Sequence, residues 1–153
     1  MKTVVELAEK DEKIILLFGD IKQCMEEFEK KFPNRLFNMG VAEQTMVGVA
    51  AGLALEGLKP VVYTITPFII KRALEQVSLD IDLQKVPVIL AGWDKCYDTL
   101  GPTHSGKDAW AITKILKNTN CYFPLNSEET RKAVLDAYGK KGPAFISLKR
   151  DGA

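Results

Sequence analysis

Histidine is nearly absent from this chain: 153 residues contain one, His104. That excludes any metal site built on several imidazoles, and a hydrolytic triad would have to use this single ring. Cysteine is scarce too. Cys24, Cys96 and Cys121 are odd in number and widely spaced, with no C-x-x-C, so neither a fully paired disulfide framework nor a common zinc or dithiol motif is available. A reducing, cytoplasmic setting is the expectation. Charge of one sign is missing as well: 21 Lys+Arg against 20 Asp+Glu leave a net charge of +1. Nucleic acid and anionic membrane surfaces are therefore not expected as partners. No apolar run approaches the roughly 18 residues that span a bilayer, and residues 1–13 mix charge with apolar residues instead of forming a signal-peptide core. There is no G-x-G-x-x-G, no P-loop, no internal repeat and no low-complexity tract.

What remains is the composition of one globular domain, with 46% apolar and 27% charged residues. Short β-rich runs alternate with helical patterns. Helices are expected over 2–10, 22–32, 42–56, 69–83, 107–117 and Ser127–Tyr138, and strands at Ile14–Phe18, Arg35–Asn38, Pro60–Ile65, Pro87–Ala91, Cys121–Phe123 and Ala144–Leu148. This alternation predicts a three-layer α/β/α fold around a mostly parallel sheet of about six strands, as one domain over 1–153. Ser127 and Thr130 are read as a weak capping pair on the last helix, with Glu128 and Glu129 suiting its dipole.

The segment 42–56 stands apart. From Thr45 to Leu55 it carries no charge, which predicts a helix buried on all sides. Gly48 and Gly52, each costing about 1 kcal/mol of helix propensity, imply a close-packing stripe. A 153-residue monomer can hardly cover such a helix, so an oligomer is expected.

In doubly wound folds, ligands bind at the carboxyl ends of the strands. Four segments fall there: Gly19-Asp20, Gly40 to Gln44, Thr66-Pro67-Phe68, and Gly101-Pro102-Thr103-His104 in a long loop from Gly92 to Gly106. Glu43 opens an otherwise apolar helix, where the helix N-terminus favours the carboxylate and burial favours the neutral acid. Such a group suits proton sharing with a ligand nitrogen, although a plain first-turn cap has the same signature. His104 is read as a proton shuttle or donor to a substrate oxygen, or as an ordinary loop histidine. Asp20 serves equally as a strand-end turn residue, and Phe68 as core. Gly19-Asp20-Ile21 followed by Asn38 lacks the third glycine and the spacing of a Gly-Asp-Gly…Asn diphosphate and magnesium motif, so no metal ligands are assigned.

Together these residues resemble a known family. Phe32-Pro33-Asn34-Arg35 leading into Gly40-Val41-Ala42-Glu43-Gln44 and a small-residue helix, then Gly101-Pro102-Thr103-His104, is similar to the pyrimidine-binding domain of transketolases and deoxyxylulose-phosphate synthases. Glu6 to Asp11 and Gly142 to Leu148 are similar to that domain's limits, so the likeness spans the chain. The resemblance implies a transferase using thiamine diphosphate with Mg2+. Glu43 would hydrogen-bond the ring nitrogen of the cofactor's aminopyrimidine, promoting loss of the thiazolium C2 proton, and a two-carbon ketol unit would pass between sugars or sugar phosphates. His104 would lie by the reacting oxygens, Phe68 against the pyrimidine, and Asp20 near the cofactor. The diphosphate-binding and C-terminal domains are absent from the sequence, so a partner subunit would carry the diphosphate and the magnesium ligands. Leu100 stands where the family has an acidic residue, with Asp98 close but displaced, which departs from a standard acceptor site. A non-catalytic oligomerising module and a fragment of a longer enzyme remain the alternatives.

Overall fold

A computed structural model describes residues 1–22, 24–94 and 101–149. Six strands, β1 (Ile14–Phe18), β2 (Leu36–Asn38), β3 (Lys59–Ile65), β4 (Ile89–Trp93), β5 (Asn120–Tyr122) and β6 (Ala144–Leu148), form one sheet in the order β2-β1-β3-β4-β6-β5. Every pairing is parallel. The α/β expectation therefore holds, and the sheet is parallel throughout. The strands read as continuous apolar runs because both faces are covered.

One face packs under α1 (Lys2–Ala8), α2 (Glu26–Lys31) and α6 (Ser127–Gly139), with Leu16, Phe28, Val61 and Ile146 in the core. The other packs under α3 (Glu43–Leu55), the segment 68–83 and α5 (Ala109–Thr113), with Leu17, Met46, Val62, Leu90 and Phe145. The register of the strands makes β1 meet β2 on one side and β3 on the other, so the crossovers from β1 and β2 diverge there. That divergence opens a crevice at the carboxyl ends of β1 and β3.

Three expectations need correction. The segment expected as one helix over 69–83 is instead two π-helical stretches, Phe68–Arg72 and Val77–Leu83, flanking a single α-turn, α4 (Leu74–Gln76). Each wide turn spreads more residues around the axis than the 3.6 period assumes, and such turns recur at functional sites. The cap of α6 is also displaced by one residue: Asn126 accepts from the Glu129 amide at 2.9 Å, while the Glu129 carboxylate accepts from the Leu125 amide at 2.9 Å. This is a variant of the capping box in which the returning bond reaches the residue before the cap, with Ser127 inside the helix rather than capping it.

The third concerns α3, which is not buried on all sides. Glu43, Met46, Val47, Ala50, Ala51 and Ala54 face the sheet, whereas Gln44, Thr45, Val49, Gly52 and Leu55 are exposed. A Cβ on Gly52 would have no neighbour within 4 Å, and one on Gly48 would meet only the Asp80 carboxylate at 3.9 Å. The small-residue stripe thus points away from its own chain. Uniform apolarity therefore overstates burial: in the single chain one side of the helix is covered and the other is exposed.

Polar tethers hold the layers in place. Asp82 is 7% exposed and accepts from the Thr119 hydroxyl at 2.6 Å and the Asn118 amide at 2.9 Å, fixing the turn before β5. Arg35 of the Phe-Pro-x-Arg motif is structural: it donates to the carbonyls of Ala8 and Asp11, both at 3.0 Å, and stacks over Phe32 at 3.9 Å. Asp11 in turn bonds Lys59 at 2.8 Å and accepts from the Tyr138 hydroxyl at 2.8 Å. The Lys59 ammonium holds the Asp11 carboxyl down at about 2, against an ordinary value of 3.8.

This packing has two measurable consequences. Because the folded value of Asp11 lies below the unfolded one, its contribution is complete above the unfolded value and disappears as pH falls towards about 2. Asp11→Asn is expected to lose about 1–2 kcal/mol at pH 7, discounted for the partly exposed lysine, with the difference from wild type closing in strong acid; urea titrations across pH measure this. Gly52→Ala, which meets nothing in its own chain, is expected to stabilise the isolated chain by about 1 kcal/mol through helix propensity. A destabilised monomer in the same titration would contradict the open placement of that face.

Candidate functional site

The two faces of the sheet differ at its carboxyl edge. On the α3 side, Ile15, Leu17, Val62, Leu90 and Phe145 are apolar. Period-2 alternation carries the same face on to Gly19, Thr64, Thr66, Gly92, Asp94 and Ser147. Core thus gives way to a polar floor over one or two residues of each strand.

Glu43 lies on this floor. It is 1% exposed, in the first turn of α3, where unpaired backbone N–H groups favour an anion. Burying a carboxylate costs several kcal/mol unless it is paired and hydrogen-bonded. Both conditions are met. The Thr64 hydroxyl donates to Oε1 at 3.3 Å, and Arg72 Nη1 donates to Oε2 at 2.6 Å as an ion pair. The Gly19 backbone completes the enclosure: a Cβ there would lie 2.8 Å from Thr64 Oγ1 and 3.4 Å from Glu43 Oε1, so a side chain would crowd the carboxylate.

Arg72 links Glu43 to two further residues. Its guanidinium carbon lies 3.9 Å over the Phe68 ring, and Phe68 meets the His104 ring edge to face with centroids 5.1 Å apart. His104 sits in a 3-10 turn, Pro102–His104, entered through Gly101 at φ 85°. The Thr103 hydroxyl is 2.9 Å from His104 Nδ1. The loop behind it is pinned by Gly106, whose Cβ would collide with the Asp94 carboxylate and reach Thr66 Cγ2 at 2.9 Å. Asp94 accepts from the Ser147 hydroxyl at 3.4 Å, and Ser147 stands 3.5 Å from the Thr66 hydroxyl.

Glu43, Phe68 and His104 are therefore linked in series, with Arg72 bridging Glu43 to Phe68 and Phe68 meeting His104. Asp20 lies two residues beyond β1 with φ 56° and accepts from the Asn38 side chain at 3.2 Å, while Asn38 accepts from the Gly40 amide at 2.9 Å. This geometry is that of a turn residue bracing the lead into α3. Leu100 and Asp98 lie outside the described residues, as does Cys96. The sequence pattern does not single out Arg72, Thr64 or the Thr66–Ser147–Asp94 group. Arg72 reads as one more solvated charge on an expected helix; the signal pointing to it is the buried glutamate's need for a cation.

The arrangement joins a covered carboxylate, a guanidinium, an aromatic ring and an imidazole in one series of contacts. Among the described residues no group of three or more His, Cys, Asp or Glu side chains could hold a metal ion. No described helix is long and apolar enough to cross a membrane.

Known proteins share the sequence and fold of the whole chain. The family model "Transketolase, pyrimidine binding domain" matches residues 1–152. The 1-deoxy-D-xylulose-5-phosphate synthase of Marinomonas sp. (strain MWYL1) is 34% identical over 158 residues, covering 97% of this chain and 24% of that protein. One subunit of the apulose-4-phosphate transketolase of Actinobacillus succinogenes is 38% identical over 123 residues, covering 79% of this chain and 40% of that subunit. Among solved structures, a split-gene transketolase in the form of an inactive β4 tetramer is 35% identical and superposes with a TM-score of 0.87, covering 99% of this chain and 50% of that one. The transketolase of Leishmania mexicana, at 21% identity and a TM-score of 0.83, covering 97% of this chain and 24% of that one, shares the fold. This chain spans 24% to 40% of the length of these curated relatives. On the family match across nearly its whole length, the chain belongs to the transketolase pyrimidine-binding domain family.

Proposed function

We propose that this chain supplies the aminopyrimidine-binding half of a thiamine-diphosphate site and works in transfer of a two-carbon ketol unit between sugars or sugar phosphates. The observation that carries the reading is Glu43: a carboxylate with no exposed side-chain surface, on a helix N-terminus, paired with an arginine that stacks on Phe68. When bound, thiamine diphosphate supplies the carbanion chemistry that such transfers need. The chain's own part is local. Glu43 shares a proton with the ring nitrogen, Phe68 holds the ring plane, and Thr64 and the Gly19 backbone keep water from the carboxylate. His104 donates to or accepts from substrate oxygen. Asp20 contributes by bracing the approach to α3.

The remaining half, including the diphosphate contacts and the Mg2+ ligands, belongs in this reading to a diphosphate-binding domain on a partner chain. Two relatives favour the split arrangement, one a transketolase subunit and one a split-gene transketolase. The exposed half of α3, with Val49, Gly52 and Leu55, is the surface such an assembly would cover. The synthase relatives, of which this chain matches about a quarter, favour a second arrangement in which the same domain is one segment of a longer enzyme. The role of Glu43 is the same in both.

The test is reconstitution with a diphosphate-binding partner, thiamine diphosphate and Mg2+, using a ketose phosphate donor and an aldose phosphate acceptor. Ketol transfer is expected, and Glu43→Ala is expected to lower it by roughly a hundredfold or more without loss of assembly. Full activity in that variant would overturn the reading, leaving Glu43 as a helix cap in a binding module.

A further inference from the structure

Both oxygens of the Glu43 carboxylate are engaged from within the chain, and Arg72 makes the stronger contact. Its guanidinium does two things at once. It donates to Oε2 at 2.6 Å, and its central carbon lies over Phe68, 3.9 Å from the ring centroid. A planar, delocalised group that stacks on Phe68 and presents nitrogen to Glu43 is also a description of an aminopyrimidine. The two need the same oxygen and the same ring face.

We propose that Arg72 is a built-in plug of the Glu43 site: its guanidinium occupies the seat of a planar nitrogen ligand, swings out when one enters, and thereby gates a subsite for amidinium and aminopyrimidine groups. As regards the aminopyrimidine, this rests on the function proposed above; as regards planar cations, it stands on the geometry alone.

The surroundings allow the exchange. Arg72 is 40% exposed while Glu43 is fully covered, so the arginine reaches in from solvent and can withdraw to it. It ends the π-helical stretch Phe68–Arg72, and the chain then breaks at Ala73 with φ −109° and ψ 23° before α4 begins. The neighbouring Lys71 is committed to Asp108 at 2.8 Å, just ahead of α5, and anchors the segment while Arg72 moves. Energetically, an incoming amidinium replaces one charge-assisted, stacked contact by another of the same kind. Glu43 is therefore never left as an unpaired buried charge.

The test uses the full chain, benzamidinium and 4-amino-5-hydroxymethyl-2-methylpyrimidine, with thermal melts and calorimetry as readouts. Arg72→Ala orphans Glu43 and is expected to lower the melting temperature by roughly 5–10 °C. Millimolar benzamidinium is expected to restore most of that loss, and to bind the variant about tenfold or more tightly than wild type. Adding Glu43→Gln to Arg72→Ala is expected to abolish the response. Should Arg72→Ala not fold, Arg72→Lys keeps the ion pair but not the flat stacked plug, and is expected to bind both probes more tightly than wild type. Equal binding of benzamidinium to wild type and to the arginine variants would overturn the plug, as would a full response in the double variant. Aminopyrimidine binding that is equal in wild type and variants overturns the plug while supporting the proposed cofactor role. Benzamidinium discriminating between them while the aminopyrimidine binds neither supports the plug and contradicts that role.

Discussion

The structure turns on one burial: a glutamate carboxylate placed at the end of α3 with no exposed surface. An ionised carboxylate in that position is costly, and the surroundings offset the cost from three sides. The α3 N-terminus contributes through its dipole, Thr64 through a hydroxyl donor, and Arg72 through a charge-assisted bond. Each depends on a different part of the fold. Thr64 requires the β3 register, Gly19 requires that β1 end without a side chain, and Arg72 requires the wide turn at Phe68–Arg72. The parallel sheet is what brings these separated segments to one edge.

The same constraint explains the polarity of the sheet. A face that is apolar from Ile15 to Leu17 and at Val62, Leu90 and Phe145 becomes polar or bare at Gly19, Thr64, Thr66, Gly92 and Ser147. Below that line the face holds the layers together; above it the face holds a carboxylate and a histidine-bearing loop. Gly106 lets the backbone that follows His104 pass close against Asp94 and Thr66, where a side chain would collide.

Much of this is legible in the chain. Alternating patterns predict the α/β layers, the apolar helix with its lone acid marks Glu43, and the Gly-Pro-Thr-His turn marks His104. What stays hidden has physical causes. Strands buried on both faces carry no alternation, so the facing of Thr64 and Ser147 emerges only with the sheet. A π-helical turn breaks the 3.6 period, so Arg72 reads as a solvated charge. The outer face of α3 misleads in the opposite sense: its apolarity predicts burial, and in the single chain Val49, Gly52 and Leu55 are exposed.

The central claim is that Glu43 meets the ring nitrogen of thiamine diphosphate in a site completed by a diphosphate-binding domain. A crystal structure of the reconstituted complex with thiamine diphosphate and Mg2+ measures this directly. The account predicts a Glu43 carboxylate oxygen within about 3 Å of the pyrimidine ring nitrogen, with the ring against Phe68. Cofactor bound in the complex with its pyrimidine ring away from Glu43 would contradict it.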